Sequence, residues 1–501
     1  MAATTTGASD TSSMELPSPA CTEPPKRPRV VLFVSPGAGH LIPLVELARR
    51  LATDHGFAVT LVTQSGLSDP ATDAAVLSSL PASVLTAVLP AVALDDLPAD
   101  IGFGTVMFEL VRRSLPHLRA LMVDSVGPTA ALATDFFGTE ALPLAAELGV
   151  PGYVFFPNSF ALISVMRHLV EVHGDDAPGE YRDLPDPLPL PGGPLLRQAD
   201  LPDGFRDRTD PVYAYLVEEA RRYVRADGFL VNSFEELETA MAESFRRDAE
   251  DCAFPPVYPV GPFVRSSSGD EATKESACLE WLDRQPADSV VYVSFGTGGA
   301  LSVEQTTELA AGLEASGHRF LWVVRMPNLD GNPCALGTIR GDEDDPLAWL
   351  PEGFLERMRG RGFAVAAWVP QVRVLSHPAT AAFVSHCGWN STLESVAAGV
   401  PMVAWPLYAE QKMNAAILTE VTGVALRPAA RGDGIVARGE VAEAVRELME
   451  GEKGSAMRRR ARELQEAADR AWSPEGSSRR ALGEVAAKWK AALLNGNGPS
   501  T

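Results

Sequence analysis

The sequence is poor in cysteine, in basic residues and in long apolar runs, and each shortage excludes a class of protein. The chain of 501 residues has only five cysteines, scattered and without C-x-x-C spacing, so neither a disulfide framework nor a zinc site is expected. No apolar run reaches the roughly 18 residues that a membrane-spanning helix needs. Lysine and arginine total 43 against 65 acidic residues, and this net charge of −22 argues against binding to nucleic acid or anionic membranes.

The length and the 46% of hydrophobic residues predict a globular chain of two or three domains. The odd number of scattered cysteines favours a reducing compartment, and we expect the cytoplasm. Residues 1–28 are small, polar and proline-rich, which predicts a disordered tail; Met14 is an alternative start. The polar stretch 261–277 lacks periodicity and predicts a linker. The remaining parts are an N-terminal domain over 29–260, a C-terminal domain over 278–476 and a last helix over 477–494.

Both halves open with the same pattern, an apolar run followed by a glycine-rich turn and a helical periodicity. In the first half the apolar residues 30–34 precede Gly37-Ala38-Gly39-His40, and in the second half residues 289–295 precede the turn 296–299. Strand, turn and helix in this order predict α/β domains that bind ligands at the carboxyl ends of their strands. The first turn is not G-x-G-x-x-G, and no acidic residue follows about 20 positions later, which argues against an NAD-dependent dehydrogenase.

Two titratable residues of the first half follow predicted strands. His40 ends the turn after the first apolar run, and Asp135 ends an alanine-rich run just before Phe136. If both strands lie in one sheet, the imidazole and the carboxylate can form a hydrogen bond, which would fix the tautomer of a general base. An alternative explanation of Asp135 is that it caps the turn that begins at Phe136.

The segment 368–411 concentrates polar and aromatic residues between apolar runs of βαβ type. We expect a helix to begin at Asn390 and Ser391, because both side chains suit capping positions. Helix N-termini present free N–H groups and a partial positive charge, and His386 and Gly388 lie just before this one. The pattern therefore predicts a phosphate-binding turn, and we expect the ligand to be a nucleotide.

Other residues of this segment suit the rest of a sugar nucleotide. Trp368 offers a flat face to a base with Gln371 beside it, and Glu394 lies one helical turn beyond the phosphate-binding residues, within reach of a ribose. Glu410 and Gln411 offer adjacent acceptor and amide groups for a polyol. Taken singly, each has a structural explanation, such as a core tryptophan, a core histidine or a solvated glutamate on a helix face.

Together these residues resemble the donor-binding signature of the plant family 1 UDP-glycosyltransferases. The motifs that carry the resemblance are HCGWNSTLES, GVPMVAWP and the closing Glu410-Gln411, where many members have Asp-Gln. The motifs PGAGHLIPLVE and ATDFFGTEAL resemble the places of the family's catalytic histidine and aspartate. The resemblance extends over roughly residues 29–494. Within the family, the chain resembles the subgroup that glucosylates hydroquinone-like phenols and monolignols.

The resemblance implies the GT-B fold, in which two Rossmann-like α/β domains face each other and the last helix crosses back to the N-terminal domain. It implies that His40 and Asp135 form a catalytic dyad and that Gln411 favours glucose. A helix cap is an alternative explanation of Thr297. The donor-binding residues that the resemblance implies are Thr297, Trp368, Val369, Gln371, His386, Gly388, Trp389, Asn390, Ser391, Glu394, Glu410 and Gln411.

The function expected from the resemblance is inverting transfer of glucose from UDP-glucose, which serves as co-substrate and not as cofactor, to a hydroxyl of a small phenol. We expect no metal, because Asp342-Glu343-Asp344 has the D-x-D form but lies in an acidic loop where solvated charge is usual. A cytoplasmic monomer is expected. Two alternatives stay open, a UDP-sugar epimerase of the same fold and a nucleotide-sugar-binding protein without activity. The natural acceptor, the regiochemistry and transfer to nitrogen or sulfur also stay open.

Overall fold

A computed structural model describes residues 27–67, 70–98, 101–124, 128–172, 186–264, 277–329, 331–334, 345–366 and 368–496. Met14, most of the predicted linker and Asp342-Glu343-Asp344 lie outside these residues. Within the described ranges, no helix is both long and apolar enough to cross a membrane.

The first half is built on a seven-stranded parallel sheet with the spatial order β3-β2-β1-β4-β5-β8-β9. From β1 the chain adds β2 and β3 toward one edge of the sheet. It then returns and places β4 next to β1 on the opposite side. Residues 188–196 join neither large sheet and form a separate antiparallel pair, β6 and β7. The strands are β1 Arg29–Phe33, β2 Ala58–Gln64, β3 Val84–Leu89, β4 Thr129–Thr134, β5 Gly152–Phe156, β6 Leu188–Pro189, β7 Leu195–Leu196, β8 Gly228–Val231 and β9 Val257–Pro259.

Helices cover this sheet, and the burial of its central strands explains their apolar sequences. All residues of β5 and β8 are buried, as expected for parallel strands with helices on both faces. Short 3-10 turns follow β4 at Phe136–Ala141 and occupy Gln198–Asp200, Asp203–Phe205 and Tyr223–Arg225. The helices are α1 Ala38–Thr53, α2 Pro70–Leu77, α3 Phe103–Asp124, α4 Leu142–Glu147, α5 Phe160–Val172, α6 Pro211–Arg222 and α7 Thr239–Glu250.

The second half is built on a six-stranded parallel sheet with the spatial order β12-β11-β10-β13-β14-β15. Here the chain changes direction between β10 and β13, which are neighbours in the sheet. The strands are β10 Val290–Ser294, β11 Arg319–Val323, β12 Gly362–Val365, β13 Thr380–Ser385, β14 Met402–Ala404 and β15 Ala425–Leu426. The helices are α8 Ala277–Leu282, α9 Val303–Ser316, α10 Phe354–Arg357, α11 Gln371–Leu375, α12 Trp389–Ala397, α13 Gln411–Ala416, α14 Arg438–Glu450, α15 Glu452–Ala471 and α16 Ser477–Gly496.

The last helix, α16, leaves the second half and packs against β4 and β9 of the first sheet. Its Trp489 is fully buried and contacts the rings of Phe57 and Tyr153 at centroid distances of 6.0 and 5.2 Å. Lys488 Nζ donates a 2.6 Å hydrogen bond to the hydroxyl of Tyr258. This packing holds the two halves together at one end of the molecule.

Candidate active site

His40 and Asp135 meet at the point where the first sheet changes direction. His40 lies in the first turn of α1, just after β1, and Asp135 directly follows β4, the neighbour of β1. His40 Nδ1 lies 3.0 Å from Asp135 Oδ2. An ionised carboxylate only accepts hydrogen bonds, so Nδ1 carries the proton and Nε2 is the basic nitrogen. The structure thus brings together two residues that the sequence separates by 95 positions.

Asp135 is held from several sides. Ser35 donates twice, from its backbone N–H to Oδ2 at 2.8 Å and from its hydroxyl to Oδ1 at 2.6 Å. The backbone N–H of Phe137 donates to Oδ1 at 3.3 Å, so Asp135 also caps the following 3-10 turn. Capping and pairing with His40 therefore occur together and are not alternatives. Because the Asp135 side chain is 1% exposed, it depends on these hydrogen-bond donors, and not on water, for its stabilisation.

A cavity of about 370 Å³ opens beside this pair. Its wall is mostly apolar and includes several aromatic rings. Phe137 lies 5.3 Å from the His40 ring and 4.8 Å from the Phe108 ring, both between centroids. Both halves of the chain line it, which places it in the cleft between the two sheets. The lining residues are His40, Gly102, Gly104, Phe108, Phe136, Phe137, Phe156, Pro157, Asn158, Leu162, Pro202, Asp203, Gly204, Phe205, Asp210, Val212, Leu216, Trp389, Asn390, Ala409 and Glu410.

The second sheet presents two turns at its own change of direction. One turn follows β10 and contains Thr297, which is exposed; the other follows β13 and contains His386. The helix-cap explanation of Thr297 is wrong, because Ser302 caps α9 with a 3.1 Å hydrogen bond from the N–H of Gln305. Carboxyl ends of neighbouring parallel strands at such a point form the usual ligand crevice of α/β sheets.

His386 is enclosed by two glycines. A Cβ on Gly296 would lie 2.7 Å from the His386 ring, and a Cβ on Gly388 would lie 2.4 Å from Nε2, so neither position has room for a side chain. Burial lowers the pKa of His386 to about 4, although the backbone of Ser294 partly opposes the shift. At neutral pH this histidine is uncharged, so it can offer an N–H group to a phosphate but no positive charge.

The helix after this turn begins earlier than the sequence predicted. α12 starts at Trp389 with Gly388 as its N-cap, and no side chain caps it, so the predicted caps Asn390 and Ser391 are wrong. Both residues instead lie within the first helical turn, whose backbone N–H groups remain available for an anion. The reason is the extended backbone of Gly388, which enters the helix without help from a polar side chain.

Gln371 and Glu394 are engaged with each other and not directed to solvent. Gln371 Nε2 donates to Glu394 Oε2 at 2.6 Å and to Ser391 Oγ at 2.9 Å, while its Oε1 accepts from the hydroxyl of Tyr292 at 3.1 Å. Trp368, by contrast, is 54% exposed. A base can therefore stack on Trp368, whereas Gln371 reads its edge only if this network rearranges. Val369, which neighbours Trp368, is buried.

Glu410 ends the loop between β14 and α13, and Gln411 is the first residue of α13. Gln411 is buried, and its Oε1 accepts hydrogen bonds from the N–H groups of Leu407 and Tyr408 at 2.9 and 3.2 Å. The amide oxygen of Gln411 thus fixes the shape of the preceding loop. Glu410 lines the cavity with His40, and burial raises its pKa, opposed by hydrogen bonds that include one from Asn158.

Two residues predicted to bind the donor also contact the first half of the chain. Trp389 Nε1 donates to the backbone oxygen of Asn232 at 2.7 Å, and Asn390 Nδ2 donates to the backbone oxygen of Gly39 at 3.0 Å. Both also line the cavity. Their side chains therefore join the two halves, a role that the sequence did not predict.

Sequence reasoning missed Ser35 and Asn232. Each follows a strand of the first sheet by one or two residues, at the edge where Asp135 also lies. The strand-end rule that identified Asp135 would have found them, but their side chains do not titrate and drew no attention. In the part of the chain that the structure describes, no three His, Cys, Asp or Glu side chains converge as metal ligands do.

Comparisons with known proteins match this architecture. The sequence profile of the family described as "UDP-glucoronosyl and UDP-glucosyl transferase" matches residues 216–461. The chain is 45% identical over 465 residues to a hydroquinone glucosyltransferase of Rauvolfia serpentina, a match that covers 92% of this chain and 98% of that protein.

Two solved structures are similar in sequence and in fold. One is Phytolacca americana UGT2 complexed with UDP-2fluoro-glucose and pterostilbene, 42% identical with a TM-score of 0.82 over 92% of this chain and 100% of that one. The other is a UDP-glucosyltransferase from Polygonum tinctorium capable of glucosylating indoxyl, in a complex with 3,4-dichloroaniline; it is 45% identical with a TM-score of 0.84 over 94% and 100% of the two chains.

Proposed function

This chain belongs to the UDP-glucoronosyl and UDP-glucosyl transferase family, and from that premise we propose that it transfers glucose from UDP-glucose, with inversion, to a hydroxyl of a small phenol. The predicted family and the predicted GT-B arrangement of two facing α/β sheets are confirmed. The chain is therefore a UDP-glycosyltransferase. The single observation that carries the proposed chemistry is the 3.0 Å contact between His40 and Asp135 at a cavity lined by both halves.

His40 acts in this proposal as the general base. Asp135 holds the imidazole with its proton on Nδ1, and Nε2 takes the proton of the phenol as its oxygen attacks the anomeric carbon. The new C–O bond forms as the bond from the anomeric carbon to the UDP oxygen breaks, and the configuration inverts. Asp135 stabilises the imidazolium that results, because its charge is buried and close.

The donor in this proposal lies against the second sheet, with its phosphates at the first turn of α12. The N–H groups of that turn and of His386 stabilise the charge that develops on UDP, with Thr297 on the neighbouring turn. Glu410 and Gln411 hold the sugar, and we propose glucose for it. The base stacks on Trp368 and the ribose contacts Glu394. We propose that transfer requires no metal ion, since these groups supply the donors for the leaving group.

The acceptor in this proposal is a flat, apolar phenol. The apolar wall of the cavity, with its aromatic side chains, favours such a ring, and a phenol is acidic enough for an imidazole to deprotonate as attack proceeds. The relatives support this class, because one is called a hydroquinone glucosyltransferase and one was solved with pterostilbene. The comparisons lend no support to a UDP-sugar epimerase or to a binding protein without activity.

The test is to incubate the purified protein with UDP-glucose and hydroquinone in the presence of EDTA and to measure UDP and glucoside. We expect UDP release only when the phenol is present, and a β-glucoside by NMR. UDP-galactose formed without acceptor would show an epimerase instead. Loss of transfer in EDTA with recovery on added Mg²⁺ would show that a metal takes part.

A further inference from the structure

Residues 198–206, called the strap below, form one wall of the cavity. The strap contains the 3-10 turns Gln198–Asp200 and Asp203–Phe205. Its residues 202–205 line the cavity that His40 also lines, and Phe205 is 3% exposed. The strap belongs to the first half of the chain, so it is part of the acceptor side of the cleft.

The charged side chains of the strap nevertheless contact the second half. Arg427 Nη1 lies 2.7 Å from Asp200 Oδ1, and the Asp200 side chain is only 9% exposed. Lys412 Nζ lies 3.6 Å from Asp203 Oδ1. Lys412 directly follows Gln411 on α13, and α13 packs against the first turn of the strap. The acceptor wall is thus attached to the helix that carries the proposed sugar-binding residue.

Internal hydrogen bonds make the strap a single unit. The guanidinium of Arg206 donates to the backbone oxygens of Leu201 and Ala199 at 3.0 and 2.7 Å. Gly204 lies against α6 so closely that a Cβ there would be 2.7 Å from Val212. The Arg206 bonds therefore link the part of the strap around Asp200 to the part that lines the cavity.

The two ion pairs differ in how strongly they should hold the strap to the second half. The Asp203 side chain is 58% exposed, and an exposed pair contributes little because water screens it. Asp200 is buried, so the loss of Arg427 would leave a buried carboxylate without its cation, and the strap would move to hydrate it.

We propose that Asp200 and Arg427 are positioning residues, which fix the strap so that its residues Pro202 and Phe205 hold the acceptor ring in line with the sugar bound at α13. The proposal rests on the proposed glucosyl transfer. In this proposal, the ion pair between the two halves aligns the acceptor with the donor. Neither residue touches the reacting atoms.

The test is to compare Arg427→Ala, Arg427→Lys and Asp200→Asn with the wild-type protein in steady-state glucosylation of hydroquinone and of a two-ring phenol. We expect the acceptor KM of Arg427→Ala to rise about 5- to 20-fold, with the KM for UDP-glucose within about twofold. Arg427→Lys should recover part of the loss, and the double variant with Asp200→Asn should be no worse than Arg427→Ala alone, because the two side chains act as one pair. The matched control is Arg431→Ala, which removes an exposed ion pair with Glu304 on the second half.

Several outcomes would overturn the proposal. One is an unchanged acceptor KM in Arg427→Ala, and another is an equal rise in both KM values. A lower melting temperature with unchanged kinetics would show a merely structural pair. If Arg427→Ala does not fold, Arg427→Lys and Asp200→Asn carry the same test. If the wild-type protein transfers no glucose, the proposed function fails, and calorimetric titration of hydroquinone into wild type and variants still tests the strap, since binding needs no turnover.

Discussion

The indole N–H of Trp389 donates a 2.7 Å hydrogen bond to the backbone oxygen of Asn232. Trp389 opens the helix at which the donor phosphates are proposed to bind, and Asn232 directly follows β8 in the first sheet. The side chain of Asn232 accepts a further bond, at 2.8 Å, from the N–H of Phe263. Both residues are buried, so this contact joins the two sides of the cleft away from water.

Replacing Trp389 with Phe tests this contact. The substitution keeps an aromatic ring but leaves the buried oxygen of Asn232 without its donor, which costs about 1–3 kcal/mol. We expect kcat/KM to fall about fivefold or more, because the two halves lose their registration. Trp349→Phe, in an exposed 3-10 turn, is the matched control and should behave as wild type. Wild-type kinetics in Trp389→Phe would show that the bond does not affect turnover.

Replacing His40 with Ala tests the proposed base. Loss of a general base lowers rates by about 100- to 10,000-fold, so we expect kcat for hydroquinone to fall within that range while calorimetry shows unchanged UDP-glucose binding. The loss should be smaller for 4-nitrophenol, which is already ionised in part. His168→Ala removes a half-buried histidine on α5, away from the cavity, and serves as control. Equal losses for both phenols would contradict the role of His40 as base.

Replacing Gly388 with Ala tests the packing of His386. Gly388 has an ordinary φ of −60°, so alanine brings no backbone strain but places a Cβ 2.4 Å from the imidazole. We expect His386 to move and the affinity for UDP to fall about tenfold or more. Titration of UDP measures this directly. Gly432→Ala, where a Cβ meets no atom within 4 Å, should leave UDP affinity unchanged.

Glu238 makes stability depend on pH. Burial raises its pKa from 4.5 to about 7, opposed by hydrogen bonds from the Ser233 hydroxyl and the Phe160 N–H. Between pH 4.5 and 7 the folded state binds more protons here than the unfolded state does, so this group's contribution to stability falls as pH rises through that window and is constant above it.

Glu238→Gln removes this titration while it keeps an acceptor for Phe160. Relative to wild type, we expect the variant to gain about 1–3 kcal/mol of stability on going from pH 4.5 to pH 8, measured by urea unfolding at each pH. Glu243→Gln, at an exposed position of α7, the helix that follows Glu238, should show no such difference. If Glu238→Gln changes the free energy of unfolding equally at both pH values, the raised pKa of Glu238 is contradicted.

Replacing Gln411 with His tests the proposed sugar preference. Imidazole offers at most one acceptor nitrogen, whereas Gln411 Oε1 now accepts from both Leu407 and Tyr408, so the loop that bears Glu410 should change shape. We expect turnover with UDP-glucose to fall and the ratio of UDP-galactose to UDP-glucose turnover to rise about tenfold. An unchanged ratio would undo the assignment of glucose.

Much of the fold could be predicted because its signals are local. The apolar runs 30–34 and 289–295 correspond to the strands β1 Arg29–Phe33 and β10 Val290–Ser294, within one residue at each end. The start of α12 was missed because Asn390 and Ser391 have the composition of caps, but the backbone of Gly388 decides where the helix begins. Composition predicts that a helix begins in this part of the chain. The backbone angles decide at which residue it begins.

The sequence by itself determined which residues carry chemistry and that strands, turns and helices alternate, since hydrophobic periodicity and turn residues act over a few neighbours. Only the tertiary structure decided which of these residues meet. His40 contacts Asp135 because β1 and β4 are adjacent in the sheet. Gln371 donates to Glu394 because α11 packs against α12, and Arg427 contacts Asp200 because the two halves meet there. Such pairings depend on the order of strands and on burial, which residues far apart in the chain set together.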